Sequence, residues 1–454
     1  MKKSKLSLTD IHLLRDLFAP GLELILIDPH GRINDVDVSS GKVVFPEDNL
    51  VNFVVDVTNP VFSCFLSNAQ ENLSTVFDFI NNADGSIRWF YQAGSKDASH
   101  LSLYNSNSWK SKIYVSVSRL AWKLGQSNLL ASGQFEMQQL LVDEVKAKYG
   151  ILTNEKCSFF TGTRGATRKV VVDVQCVDGT NEFIKIPLTK TAERLIKNEI
   201  DMVKSLNKFD FTTLSLPKIS KHINGHARLS NVKPAITIPA NKIAAIHATA
   251  VGELCALSHE RKSIADTEAW EVTISNIHYL FNELVCCNNL DQQKIQNLVK
   301  GLKELYSTIS IVESIPVSVS HGDFTPWNMY CDEQRLYVYD WEMARNGIPM
   351  LFDLFHFSYQ SVILQQQKSY VDVRENINVW LKQPVVMHMI QKYRINVQLH
   401  HALYLLFNVS FYLRQYLNEK EPLIQSEWMM DAWTMAIDEC LSAVNMNRSN
   451  DEST

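Results

Sequence analysis

The segment between Val319 and Glu342 constrains this chain more than anything else in its 454 residues. It reads Val319-Ser320-His321-Gly322-Asp323-Phe324-Thr325-Pro326-Trp327-Asn328, and then Leu336-Tyr337-Val338-Tyr339-Asp340-Trp341-Glu342. Asp323 and Asn328 are five residues apart, and Asp340 follows Asn328 by twelve, which leaves room for a short hairpin between them. A histidine, an aspartate and an asparagine at these intervals meet by accident in a chain of this length on the order of a few per cent of the time. Moving a γ-phosphoryl group to a hydroxyl needs a carboxylate that orients the hydroxyl and takes its proton. It also needs oxygen ligands that hold Mg²⁺ against the phosphates. Asp323 suits the first task; Asn328 and Asp340 suit the second. His321 has two readings, catalytic participation or hydrogen bonding that braces the loop.

The upstream sequence offers a separate check. Cys157–Thr161 and Lys169–Val174 read as strands flanking the loop Gly162-Thr163-Arg164-Gly165-Ala166-Thr167. Asp178-Gly179 signals a hairpin turn, Glu182–Ile186 is the next strand, and Pro187 helps to end it. Thr191–Leu206 has a helical stripe of Leu195, Ile196, Ile200, Val203 and Leu206. Nucleotide binding by such a lobe calls for a glycine loop, then a strand lysine, then a helical glutamate that holds the lysine. Gly162 and Gly165, Lys185 and Glu199 occur in that order, with Glu193 a rival partner for the lysine. Ala227–Val232 is one more strand candidate. From about 240 to 445 the pattern is mainly helical, interrupted by the polar and aromatic stretch 318–342.

Composition narrows the remaining classes. The formal net charge is −5 and no block of five or six like charges occurs, which disfavours a nucleic-acid-binding arm. No run of about eighteen uncharged apolar residues is present to span a membrane, and no secretory apolar core follows Met1. The eight cysteines are scattered without a C-x-x-C pair; Cys255 and His259, four apart, are weak evidence for zinc. A cytoplasmic protein with reduced thiols is expected.

From about 150 to 445 the chain resembles the aminoglycoside phosphotransferase and choline kinase family, small-molecule kinases with a protein-kinase-like fold. His321–Asn328 (HGDFTPWN) and Asp340-Trp341-Glu342 carry the resemblance, supported by Lys185 with Glu199 and by Gly347, Pro349 and Asp353-Leu354. Protein kinases usually have Arg where Gly322 stands and Asp-Phe-Gly where Asp340-Trp341-Glu342 stands. The resemblance implies an α+β fold of two lobes, a small β-rich one (150–235) and a mainly helical one (236–445). It further implies ATP and Mg²⁺ as cofactors and a small-molecule hydroxyl as acceptor. Asp323 and His321 are then the catalytic candidates, Lys185, Glu199, Gly162 and Gly165 the nucleotide-binding ones, and Asn328 and Asp340 the metal ligands. Asp353 is read as structural. The glycine loop departs from a strict G-x-G-x-x-G.

Residues 1–145 lie outside that family's core and are expected to form a separate mixed α/β domain, while 446–454 reads as a polar tail. Leu22–Ile27 and Ile87–Tyr91 are strand candidates, with turns at Asp28-Pro29-His30-Gly31 and Asp84-Gly85. Trp109–Leu124 has apolar residues at Ile113, Val117, Leu120, Ala121 and Leu124, although Ile113, Val115 and Val117 also alternate as in a strand. Lys110, Lys112, Arg119 and Lys123 make this segment basic. A packed helix with a solvated basic face is preferred to peripheral membrane contact. The first domain joined to this kinase module is similar to phosphotransferases found among bacterial surface-polysaccharide genes, which makes a sugar or glycan hydroxyl a plausible acceptor. Aminoglycosides, being polycations, would call for an acidic pocket, and no dense acidic cluster follows Glu342. A catalytically silent nucleotide-binding scaffold and a protein kinase are the alternatives.

Overall fold

Runs of β-branched and aromatic residues crowd the first two hundred positions, and they fold as strands. A computed structural model describes residues 8–27, 52–56, 62–67, 73–82, 85–94, 101, 109–124, 126, 130–162, 165, 167–223, 226–234, 236–282, 291–309, 313–418 and 424–451. The turn read at Asp28–Gly31, Asp84 of the second turn, and Thr163, Arg164 and Ala166 of the glycine loop lie outside these residues. The chain divides into two units, Met1–Ile200 with Pro217–Asn231, and Asp201–Leu216 with Val232–Thr454.

The first part of the chain runs α1 (Leu8–Phe18), β1 (Glu23–Ile27), β2 (Asn52–Asp56), β3 (Phe62–Leu66), β4 (Ser74–Asn81), β5 (Ile87–Gln92) and α2 (Trp109–Lys123). It continues through β6 (Gly133–Gln138), α3 (Gln139–Lys148), β7 (Lys156–Phe160), β8 (Lys169–Gln175), β9 (Asn181–Pro187) and α4 (Lys190–Leu206). Then follow β10 (Leu214–Ser215), β11 (Ile219–Ile223) and β12 (His226–Ser230). All of these strands except β10 join one sheet of eleven, in the order β1-β2-β3-β6-β4-β5-β7-β8-β9-β12-β11.

This sheet crosses the boundary expected near 145–150. Strand β5 pairs antiparallel with β7, matching Trp89 with Phe160, Phe90 with Phe159 and Tyr91 with Ser158. At that seam the Phe90 and Phe159 rings stack at 4.5 Å and 7°. Phe18 of α1 joins them, as do Phe77 and Phe135, in one buried core that also takes Val170, Val172 and Ile184. Burying aromatic surface of this size contributes more than any single hydrogen bond in the ladder. Residues of the stretch 1–145 and the strands that follow therefore share a core within one unit, where the sequence leads one to expect a separate domain. Arg228 on β12, fully buried, pairs with Glu155 at 3.0 Å and Glu182 at 2.9 Å, which ties the far side of the sheet to the turn before β7.

Helix α2 forms where its spacing predicts, but with the opposite face inward. Val115, Ser118 and Trp122 are buried, and Trp122 packs on Tyr91 with ring centroids 5.2 Å apart. Since alternate strand residues face opposite sides, Tyr91 lies on the side of the sheet away from Phe90, and α2 covers that side.

The second unit, which also takes the end of α4 and β10, continues through α5 (Ala245–Leu257), β13 (Glu260–Ser263), α6 (Glu268–Asn282) and α7 (Gln292–Thr308). The site segment supplies β14 (Ser314–Ser320), β15 (Met329–Cys331), β16 (Leu336–Val338) and β17 (Arg345–Pro349). Helices α8 (Phe352–Tyr359), α9 (Tyr370–Leu381), α10 (Pro384–Tyr393), α11 (Val397–Asn418) and α12 (Ile424–Asp451) complete it. Two small sheets, β13-β14-β17 and β10-β16-β15, frame the loop between β14 and β15. Helix α12 runs on to Asp451, so most of the stretch read as a polar tail is helical. The six described cysteines are free thiols, and Cys255 faces Ser318 rather than His259.

If the β5–β7 seam is as integral as its packing implies, the fragment 150–454 will not be a soluble monomer. It would expose β7 as an apolar edge and forfeit the Phe90–Phe159 contact, worth about 3–5 kcal/mol on the scale of a Phe-to-Ala core truncation. Expression and gel filtration of that fragment check this; a monodisperse, cooperatively melting fragment would show that the first 145 residues are dispensable to the core.

Candidate active site

Three short elements converge on Asp323, and the sequence explains each. Val317 and Val319 bury β14 in the second unit, and β14 pairs with β17 up to Ser320. There the chain must turn sharply, and Gly322 makes the turn with φ +79°. A Cβ on Gly322 would sit 2.3 Å from the Met343 carbonyl oxygen, so any other residue would push the loop out of place. The turn is held from below by Asp353, in the first turn of α8. Its carboxylate accepts from Ser320 Oγ (2.7 Å), the His321 amide (2.8 Å) and the Gly322 amide (3.0 Å). This matches the structural reading of Asp353.

His321 is fully buried, and the backbone uses both of its ring nitrogens. Nε2 donates to the Tyr339 carbonyl (3.1 Å), and Nδ1 accepts from the Asp323 amide (3.3 Å). The bracing alternative describes this geometry, since neither nitrogen is left to meet a reacting group. After Asp323, Pro326 opens a single 3₁₀ turn through Asn328, whose amide Nδ2 donates to Asp323 Oδ2 at 2.8 Å.

The β15–β16 hairpin then brings the third residue round. Met329 pairs with Val338 and Tyr330 with Tyr337, so Asn328 and Tyr339 meet at the hairpin's open end. There the Tyr339 amide donates to the Asn328 carbonyl at 3.0 Å. That bond links the Asp323 loop to the residue before Asp340, and the Tyr339 hydroxyl adds a second link by donating to the Trp327 carbonyl. Asp340 comes next, in the left-handed region at φ 67° and ψ 57°. Left-handed backbone is uncommon for a residue with a side chain, although aspartate tolerates it better than most. Such conformations persist where the surroundings fix them, and they gather at functional sites.

One residue of the site gives little sign of itself in the sequence. His356, on α8 one turn beyond Asp353, is fully buried and places Nε2 3.1 Å from Asp323 Oδ1, while the Asp323 side chain stays 27% exposed. Its signal is faint, because His356 sits in the apolar run Leu354-Phe355-His356-Phe357 and reads as core. The i, i+3 spacing from Asp353 is the usable clue, since it puts both side chains on one helix face. Asp323 thus receives a hydrogen bond on each oxygen, from His356 and from Asn328. Around it, burial first and the charge of Asp323 second hold the Tyr404 and Tyr412 phenols far above their ordinary range, so both stay protonated.

In the first unit, Lys185 on β9 pairs with Glu199 on α4 at 2.6 Å, with side chains 10% and 1% exposed. The rival Glu193 lies near the start of α4, where its amide bonds to the Thr189 carbonyl. Gly162 and Gly165 both have positive φ, +68° and +140°. Gly162 also lies so close to the Lys169 carbonyl that a Cβ would be 2.5 Å from it, whereas a Cβ on Gly165 meets nothing within 4 Å. The structure thus groups Asp323, Asn328, His321 and Asp340 along one loop and hairpin of the second unit, and Lys185 with Glu199 in the first.

Residues 238–370, under a third of the chain, match the model of the phosphotransferase enzyme family. The resemblance is to that family. The matched stretch contains Asp323, Asn328, Asp340, Asp353 and His356. No curated protein matches the chain. Among solved structures, it is similar to an aminoglycoside 2′-phosphotransferase in complex with GDP, at 13% identity over 68% of this chain and 96% of that one, with TM-score 0.42. It is also similar to the choline kinase LicA from Streptococcus pneumoniae, at 15% identity over 67% and 100%, with TM-score 0.40. An amicoumacin kinase in complex with AMP-PNP, Ca²⁺ and its antibiotic is 12% identical over 66% and 93%, with TM-score 0.41.

Replacing His356 by Phe keeps an aromatic ring among Phe352, Tyr404 and Tyr412 but removes the hydrogen bond to Asp323. Turnover should fall about tenfold to a hundredfold, with the melting temperature and nucleotide affinity nearly unchanged. Steady-state kinetics beside a thermal melt check this; unchanged kcat would show that His356 only fills space.

Proposed function

We propose that the chain is an ATP- and Mg²⁺-dependent phosphotransferase that phosphorylates a hydroxyl of a small molecule. The observation that carries the reading is the Asp323 carboxylate, partly exposed and held on both oxygens by Asn328 and His356. A carboxylate fixed in this way is oriented before the acceptor arrives, and each oxygen keeps a lone pair for the acceptor O–H. Asp323 then takes the hydroxyl proton as the oxygen attacks.

The residues present also suit the cofactors. Asn328 spends its amide N–H on Asp323, which leaves Oδ1 as a hard oxygen donor, and Asp340 supplies a carboxylate one residue beyond the hairpin contact. Both are donors that Mg²⁺ prefers. Lys185, held by Glu199, is the cation for the phosphates, and the positive-φ glycines let backbone approach them. Bound ATP and Mg²⁺ supply the transferable phosphoryl group and the charge that neutralises it in flight. His321 has a positioning role in this reading, because its ring bridges Asp323 to Tyr339. The acceptor in this reading is a hydroxyl of a small molecule such as a sugar or glycan precursor, which is what the resemblance noted in the sequence implies.

Two variants separate the roles. Asp323→Asn should lower phosphoryl transfer at least about a hundredfold while ATP still binds, since a general base contributes on that order. Asp340→Ala should instead weaken Mg²⁺-dependent nucleotide binding, read by calorimetry with and without Mg²⁺. Full turnover by Asp323→Asn would remove Asp323 from the base role, and unaltered Mg²⁺-dependent binding in Asp340→Ala would remove Asp340 from the metal site.

A further inference from the structure

The outer face of α2 is not explained by phosphoryl transfer. Ile113, Val117, Leu120 and Leu124 are 54%, 50%, 58% and 64% exposed. Their spacing of four, three and four places them within an arc of about 60° on the helix. Single exposed apolar residues are ordinary, but four in register form a stripe. The helix cannot turn this stripe inward, because the opposite face carries Val115, Ser118 and Trp122 and is already seated against Tyr91.

Charge decides what such a stripe fits. Between Asp97 and Glu136 the chain has no acidic residue, while Lys110, Lys112, Arg119 and Lys123 are all basic, in a protein whose net charge is −5. Arg119 and Lys123 are exposed and lie one turn apart on one flank of the helix, between the stripe and the buried face. A contact with a second copy of the same helix would set these bases against like charges, which disfavours it. An anionic surface is the complementary partner, and one that also accepts an apolar stripe at shallow depth is the headgroup region of a bilayer. Among the described residues no helix is long and apolar enough to cross a membrane, so contact by α2 would be peripheral.

We propose that the outer face of α2 docks on the surface of an anionic lipid bilayer, its apolar stripe entering the headgroup region while Arg119 and Lys123 meet lipid phosphates. Sedimentation of the full chain with vesicles of phosphatidylcholine alone, or mixed with phosphatidylglycerol, tests this. Binding is expected only with phosphatidylglycerol, and it should fall as salt rises. The double variants Leu120→Ser with Leu124→Ser, and Arg119→Glu with Lys123→Glu, should each weaken partitioning about tenfold or more at unchanged melting temperature. These positions are exposed, so the fold does not depend on them. The proposal is overturned if the wild-type chain stays in the supernatant with the mixed vesicles, or if neither double variant changes binding. A dimer that the serine variant dissolves, in a chain that ignores vesicles, would assign the stripe to self-contact instead.

Discussion

The site depends on one carboxylate that takes no part in the proposed chemistry. Asp353 accepts three hydrogen bonds from Ser320, His321 and Gly322 and is itself buried at the start of α8. A buried carboxylate is costly unless its lone pairs are satisfied, and two backbone amides with a hydroxyl satisfy them. The same helix then presents His356 one turn later, so the element that anchors the loop also touches the Asp323 carboxylate. Geometry at Asp323 is therefore set by α8 from one side and by the β15–β16 hairpin from the other.

The two units solve a similar problem with different means. In the second unit, positions are fixed by hydrogen bonds to backbone, which hold a loop in an otherwise unfavourable conformation. In the first, Lys185 is fixed by charge, through a short and nearly buried pair with Glu199. Burial makes that pair expensive to break, because removing one partner leaves the other charge unpaired. Neither arrangement relies on the protein's overall field, which at net −5 offers no attraction to a nucleotide.

Much of this is legible in the sequence where the signal is local. Strands β7, β8, β9 and β12, helix α4, and the loop with its hairpin all follow from alternation, turn residues and spacing. Long-range pairing leaves no such mark. Trp89-Phe90-Tyr91 reads as a strand, but nothing in it says that its neighbour is Phe159 rather than solvent, so the sheet's continuity is invisible there. Helix α2 has apolar residues on two opposite faces, and periodicity cannot tell which one the sheet takes; Trp122 decides it by its size. His356 is hidden because a histidine among phenylalanines resembles core until its partner is known.

The central claim is that this chain moves a phosphoryl group to an organic hydroxyl. The most direct measurement incubates the full chain with γ-labelled ATP and Mg²⁺ against sugars, amino alcohols and aminoglycosides, and follows the label by mass. Transfer of label to at least one compound, dependent on Mg²⁺ and absent with Asp323→Asn, is the predicted result. ATP binding with no labelled product across the whole set would contradict it and leave a silent nucleotide-binding module in its place.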